Sequence, residues 1–210
     1  MNSKGGVGKS TLVVHLAGWL KLHKMQNVRL CDCDPQRSSS NWMKSAVPQM
    51  QTHQIVTSGD LTAILMKAKT DEYIIIDGKA GDTDITRGIL LDSDLVLIPT
   101  SPSKLDLEVT HRQCQLVQQI RKLTNSPRPN AFVILNKLGK DKQSGDVAET
   151  REIEGIPVFP FPLKLRSPYS DAAGKGCLVW DLPFFTLPAQ REMNGFFAEL
   201  WKSIEIPTTA

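Results

Sequence analysis

Lys4-Gly5-Gly6-Val7-Gly8-Lys9-Ser10-Thr11 is the stretch that decides how this chain reads. Residues without a Cβ let successive backbone N–H groups turn inward and hold the oxygens of a phosphate. A helix opening at Lys9-Ser10 would point its positive end at the same anion. In a phosphate-binding loop of the Walker A type, G-x-x-x-x-G-K-[ST], the lysine reaches the β- and γ-phosphates and the hydroxyl ligates Mg²⁺. The spacing here is altered. Ser3 stands where the first glycine belongs, and the glycines crowd at Gly5, Gly6 and Gly8. Lys9 and Ser10 stay in register with them, so the backbone requirement is still met. The expected nucleotide contacts are Gly5, Gly6, Val7, Gly8, Lys9, Ser10 and Thr11.

Working outward, Ser10 to about His23 is apolar around most of a helical circumference and predicts a largely buried helix. Val28 to Asp32 reads as a strand that ends in Asp32-Cys33-Asp34-Pro35-Gln36, a carboxylate pair at a strand's C-terminal edge. In an open parallel sheet, ligands bind at that edge. Glu72-Tyr73-Ile74-Ile75-Ile76-Asp77 is a continuous β-rich run ending in aspartate, the Walker B pattern. Its lack of alternation implies burial on both faces, and Asp77 is a Mg²⁺ candidate. Gly78 to Asp82 then reads as a mobile loop in which Lys79 has no assigned role.

Further strands are expected at Gln54–Thr57, Leu95–Pro99, Ala131–Leu135 and Val158–Pro162, and helices at Ser38–Met50, Leu61–Lys69 and from Asp106 to Leu123. Trp42 and Met43 read as packing residues. Lys137 to Ser144 is basic and polar and reads as a loop. The last helix, about Gln190 to Ile204, carries Met193, Phe196, Phe197, Leu200 and Trp201. Its flank is only weakly basic, which favours docking on the body of the fold over a membrane surface. The regular alternation of strand and helix predicts an α/β fold with a doubly wound, mostly parallel sheet, formed by residues 1–210 as a single domain. A phosphate loop ordinarily follows a buried strand, and only Met1, Asn2 and Ser3 precede Lys4. The first strand before the loop is therefore expected to be missing from this sequence, either because the true start lies upstream, the favoured reading, or because the protein lacks its middle strand; without it the sheet would have two unpaired edges and a core gap.

The pair of lysines in Lys4-Gly5-Gly6-Val7-Gly8-Lys9-Ser10-Thr11 is the deviant Walker A motif, and here the sequence resembles the ParA/MinD family of P-loop ATPases. Asp32 to Gln36 matches that family's first switch and Asp77 its Walker B aspartate. Gly78-Lys79-Ala80-Gly81 resembles the short, plasmid-type partition members. The resemblance implies that Lys4 crosses a sandwich dimer to the partner's nucleotide and acts as an arginine finger does. It implies catalytic roles for Lys4, Lys9 and Asp34, with Asp34 orienting the attacking water. Ser10, Asp32 and Asp77 would serve Mg²⁺. Asn136 would read adenine, with the segment from Pro162 closing over the base, and Lys164 and Arg166, with Lys175 beside them, would contact DNA phosphates. Pro99 to Asp106 matches the family's dimer and switch segment, although Asp106 equally fits a helix N-cap.

The implied function is a Mg·ATP-dependent ATPase for DNA partition or cargo positioning. It would bind non-specific DNA as an ATP-bound homodimer and be released when a ParB-like adaptor stimulates hydrolysis. The alternatives are a MinD-like ATPase of a membrane surface, a nucleoid-based positioner of a protein body, an iron–sulfur ATPase and a metabolic ligase. Cys114 and Cys177 do not suit a cluster, and Lys4 would be idle in a ligase. Composition is that of an ordinary globular protein: 210 residues, 40% apolar, 22% charged, net charge +3. The four cysteines contain no C-x-x-C pair, which fits a reduced, cytoplasmic setting, nucleoid-associated in the ATP state. No apolar run approaches the roughly 18 residues of a membrane span.

Overall fold

The computed structural model describes residues 6–79, 81 and 83–205. Helix α1 (Lys9–His23) leaves the phosphate loop and leads to β1 (Asn27–Asp32). α2 (Ser38–Ala46), β2 (Gln51–Gln54), α3 (Ser58–Met66) and β3 (Glu72–Asp77) follow. Next come α4 (Asp84–Asp92), β4 (Leu95–Thr100), α5 (Lys104–Thr124) and β5 (Asn130–Leu135). The chain closes with α6 (Lys142–Ala148), a hairpin of β6 (Glu152–Ile153) and β7 (Ile156–Pro157), α7 (Ser167–Lys175), two 3₁₀ turns, and α8 (Leu187–Glu205).

All pairings among β1 to β5 are parallel, in the orders β2-β1-β3 and β4-β5. Beyond β5, a parallel bridge joins Val133 to Val158. Helices cover both faces. On one side Val28 and Leu30 of β1 and Ile134 of β5 share a core with α1 and α8, and Tyr73, Ile75, Leu95 and Leu97 pack against it. On the other side, Ile74 and Ile76 lie against Leu61 and Ile64 of α3, while Ile98 and Val133 pack with α5. This is the expected doubly wound α/β arrangement.

Burial departs from expectation in β3 and the first half of β4. Tyr73 to Ile76 and Leu95 to Leu97 are only half-buried, whereas Leu30, Cys31, Val133 and Ile134 are fully enclosed. Among the described residues, no strand pairs with the second edge of β3 or with the second edge of β4. A strand edge without a neighbour leaves its side chains open on one flank. The expected absence of the leading strand concerns residues 1–5, which lie outside the described part.

Several local boundaries moved for identifiable reasons. β2 runs over Gln51–Gln54 and so ends where the strand expected at Gln54–Thr57 was to begin, and Thr57 instead caps α3. The Asp60 N–H donates to Thr57 Oγ1 and the Thr57 N–H to Asp60 Oδ2 at 2.8 Å, a capping box. These bonds hold the Asp60 carboxyl below its usual range. The segment read as a loop, Lys137 to Ser144, runs into the first turn of α6, which is capped by Asp141 accepting the Ser144 N–H at 2.9 Å. The strand expected at Val158–Pro162 contributes only the bridge at Val158, since Pro160 and Pro162 have no N–H for a ladder.

Asp106 is not the N-cap of α5. Ser103 holds that position, and Asp106, in the first turn, accepts the Ser101 hydroxyl and closes the Pro99–Ser103 bend. α8 docks on the body as expected: Met193, Phe196, Phe197, Leu200 and Trp201 are all buried. No described helix is long and apolar enough to cross a membrane.

Candidate nucleotide-binding site

Gly8 is the pivot between the loop and α1. Its φ of +89° is open to glycine at little cost, and a Cβ there would run into Asn136 Nδ2. Asn136 sits at the end of β5, donates Nδ2–H to the Val7 carbonyl at 2.8 Å and accepts the Lys137 N–H on Oδ1. Its own N–H reaches Thr100 O at 2.8 Å. The side chain expected to read adenine here holds the phosphate loop against the ends of β4 and β5, with its second amide N–H and a further Oδ1 lone pair left over. Pro162 is exposed nearby in sequence, after the Leu163 N–H has bonded Leu135 O.

α1 carries Lys9 and Ser10 in its first turn, both half-buried. Lys4 and Gly5 lie outside the described residues. Gly6 and Val7 complete the described loop, and Thr11 follows within the helix. Beside it is a crevice of about 30 Å³ lined by Val7, Lys9, Pro99, Asp106 and Thr110, room for about one or two waters.

The carboxylates come from the C-terminal ends of β1 and β3, where Asp32 and Asp77 are register partners. Asp32 is fully buried. Its Oδ1 accepts the Asp34 N–H at 2.9 Å and its Oδ2 accepts the Ser40 N–H at 3.0 Å. Asp32 thus braces the switch turn and the start of α2, and each oxygen keeps a further lone pair for the supporting part in the Mg²⁺ shell expected of it. Asp34 is half-buried, and its Oδ1 accepts the Gln36 N–H at 2.9 Å.

Asp77 is the ionisable centre of the site. Burial pushes its carboxyl up, and the neighbouring Asp32 adds to this. The Ser10 and Ser39 hydroxyls and the Lys9 charge oppose the shift by favouring the carboxylate. A buried carboxylate with a second one beside it and hydroxyls around it is a donor set for a hard divalent cation with oxygen ligands. These residues fit Mg²⁺, which Ser10 and Asp77 would hold.

Two features had no signal in the sequence. His15, one turn beyond Thr11, is fully buried. Its Nδ1–H donates to Thr11 O at 2.8 Å, and its Nε2 accepts the Val179 N–H at 3.0 Å, so the ring is the neutral Nδ1–H tautomer. The rings of Trp42, Tyr169 and Trp180 enclose it, and burial lowers its pKa to about 4. The second is Ser39, whose hydroxyl is buried beside Asp77. An i, i+4 reading of α1 would have marked position 15 as inward-facing, but not its partners.

The candidate DNA contacts are separate from this cluster. Arg166 donates from Nε and Nη2 to Glu192 Oε2 at 3.1 and 3.0 Å, and Tyr169 donates to Oε1 of the same carboxylate at 2.8 Å. Its charge is largely compensated. Lys164 and Lys175 are exposed. The thiols of Cys31, Cys33 and Cys114 are buried and pushed up to about 12, so they stay protonated.

A family model described as the CobQ/CobB/MinD/ParA nucleotide binding domain matches residues 1–179. The chain belongs to this family. Among curated ParA/MinD-family relatives, the maintenance of carboxysome distribution protein A of Halothiobacillus neapolitanus is 26% identical over 205 residues, covering 95% of this chain and 93% of its own. Protein ParA of Rhizobium radiobacter is 28% identical over 174 residues, covering 80% and 78%. Cyanothece McdA without nucleotide superposes with a TM-score of 0.71 at 19% identity over 93% of this chain and 95% of that one. The ATP complex of a Cyanothece McdA variant gives 0.69 at 18%, over 95% and 94%. The chain thus has the MinD/ParA fold, and its loop, Asp34 and Asp77 come together at the C-terminal edge of the sheet.

Proposed function

We propose that this protein is a Mg·ATP-dependent ATPase that dimerises on nucleotide and positions DNA or another cargo. The observation that carries this is the convergence of the Gly8–Lys9–Ser10 turn, Asp34 and Asp77 at one sheet edge. A relative named for carboxysome distribution and one named ParA, matched over most of their length, support the cargo-positioning reading.

In this reading the N–H groups from Gly5 to Thr11 and the start of α1 bind the phosphates, and Lys9 places a positive charge on them. Ser10 and Asp77 hold Mg²⁺, which when bound neutralises charge on the phosphates. Asp34 orients the attacking water. Its turn is held by Asp32, so its carboxylate has a defined starting position. Lys4 supplies charge to the partner subunit's nucleotide and makes turnover depend on dimerisation. Lys164 and Lys175 contribute weak phosphate contacts that become useful when two subunits present them together. The buried apolar face of α8 argues against a membrane-surface ATPase, because that face is already occupied by the core.

The experiment is DNA gel retardation with ATP, with ADP and without nucleotide, run beside light scattering in saturating ATP and Mg²⁺. The expected result is a dimer and retarded DNA with ATP alone. A monomer under all three conditions would reject the proposal.

A further inference from the structure

Ser39 stands in the first turn of α2, immediately after the switch turn, and is completely buried. Its Oγ has no hydrogen-bond partner among the described residues. A buried hydroxyl left unpaired is costly, so such a group calls for an explanation. Its surroundings provide one. The hydroxyl is near enough to the Asp77 carboxylate to favour its ionised form, although no hydrogen bond closes between them, and Asp77 is the register partner of Asp32. The backbone of the next residue, Ser40, is fastened to Asp32 Oδ2, which fixes the first turn of α2 against the same sheet edge.

We infer that Ser39 is a positioning residue for the Mg²⁺ site: its hydroxyl donates a hydrogen bond that orients the Asp77 carboxylate, or a water bound to the cation, from the switch side. This rests on the nucleotide-site reading above. It gives α2 a direct handle on the cation site, separate from Asp34. Groups that hold a metal's ligands in place typically change metal affinity by about 10–100-fold when removed.

The test uses a fluorescent, non-hydrolysable ATP analogue, with its affinity measured in EDTA and across a MgCl₂ titration. Ser39→Ala removes an unpartnered hydroxyl and raises helix propensity, so the variant is expected to melt no lower than the parent. For Ser39→Ala the MgCl₂ concentration giving half-maximal stabilisation of analogue binding should rise about tenfold, with affinity in EDTA unchanged. Ser40→Ala, which deletes the other unpartnered hydroxyl of the same turn, should leave the Mg²⁺ midpoint where it is. An unmoved midpoint in Ser39→Ala overturns the inference. So does an equal loss in EDTA, or a shift of the same size in Ser40→Ala. Absence of any Mg²⁺-dependent binding in the parent would instead reject the nucleotide-site reading itself.

Discussion

His15 ties the helix that leaves the phosphate loop to the turn at Val179 using both ring nitrogens, which only the neutral ring can do. Its pKa is about 4 in the folded protein against about 6.5 in an unfolded chain. The unfolded state therefore takes up a proton first as pH falls. The stability His15 contributes is complete above pH 6.5 and is lost progressively down to about pH 4, on the order of 3 kcal/mol in all. Comparing melting at pH 7 and pH 4.5, His15→Gln should lose less stability on acidification than the parent. Equal losses would remove this role. Asn136 makes a second point at the same scale. Asn136→Ala should still fold but bind an ATP analogue about tenfold more weakly, because the Val7 carbonyl loses its partner and the loop loses its anchor. A calorimetric titration reads this directly, and unchanged affinity would contradict the anchoring role.

Among the elements, β1 and β3 are joined by more than their ladder. Arg29 and Glu72 form a two-pronged ion pair at 2.9 and 3.0 Å, with the carboxylate side chain only 3% exposed. Deleting one partner leaves an uncompensated buried charge, which typically costs about 3–5 kcal/mol. Glu72→Ala is expected to lower stability by about that much in urea titration, while Arg29→Met with Glu72→Leu should recover most of it. A loss below about 1 kcal/mol for the single change would mean that water reaches the pair. Arg166 and Glu192 follow the same logic between α8 and the stretch before α7. That pairing weakens the case for Arg166 as a DNA contact and leaves Lys164 as the stronger of the two.

For the whole molecule, the question is whether two copies act as one. Lys4→Ala should bind nucleotide yet fail to form the ATP dimer or turn over. Asp34→Ala should accumulate as an ATP-bound dimer that holds DNA. Sedimentation with ATP and a phosphate-release assay separate these outcomes, and normal turnover in either variant would remove its assigned role. The half-open flanks of β3 and β4 belong to this scale too, since the two groups of paired strands share a single core on the α1 and α8 face.

What the sequence determined alone was the local chemistry. Glycines followed by Lys9-Ser10 mark a phosphate loop wherever they fold, and aspartates closing the runs at Asp32 and Asp77 mark the ligand edge of a parallel sheet. Periodicity placed α1, α5 and α8 to within a few residues, because a helix's buried face repeats along the chain itself. What only the tertiary structure decided were the bonds between distant residues. Asn136 meets Val7 across 129 positions, and His15 meets Val179 across 164. The bonds from Asp32 to the Ser40 N–H and from Arg166 to Glu192 arise in the same way. A side chain's role depends on which partners reach it, and packing brings those partners together with no trace in its own neighbourhood of sequence.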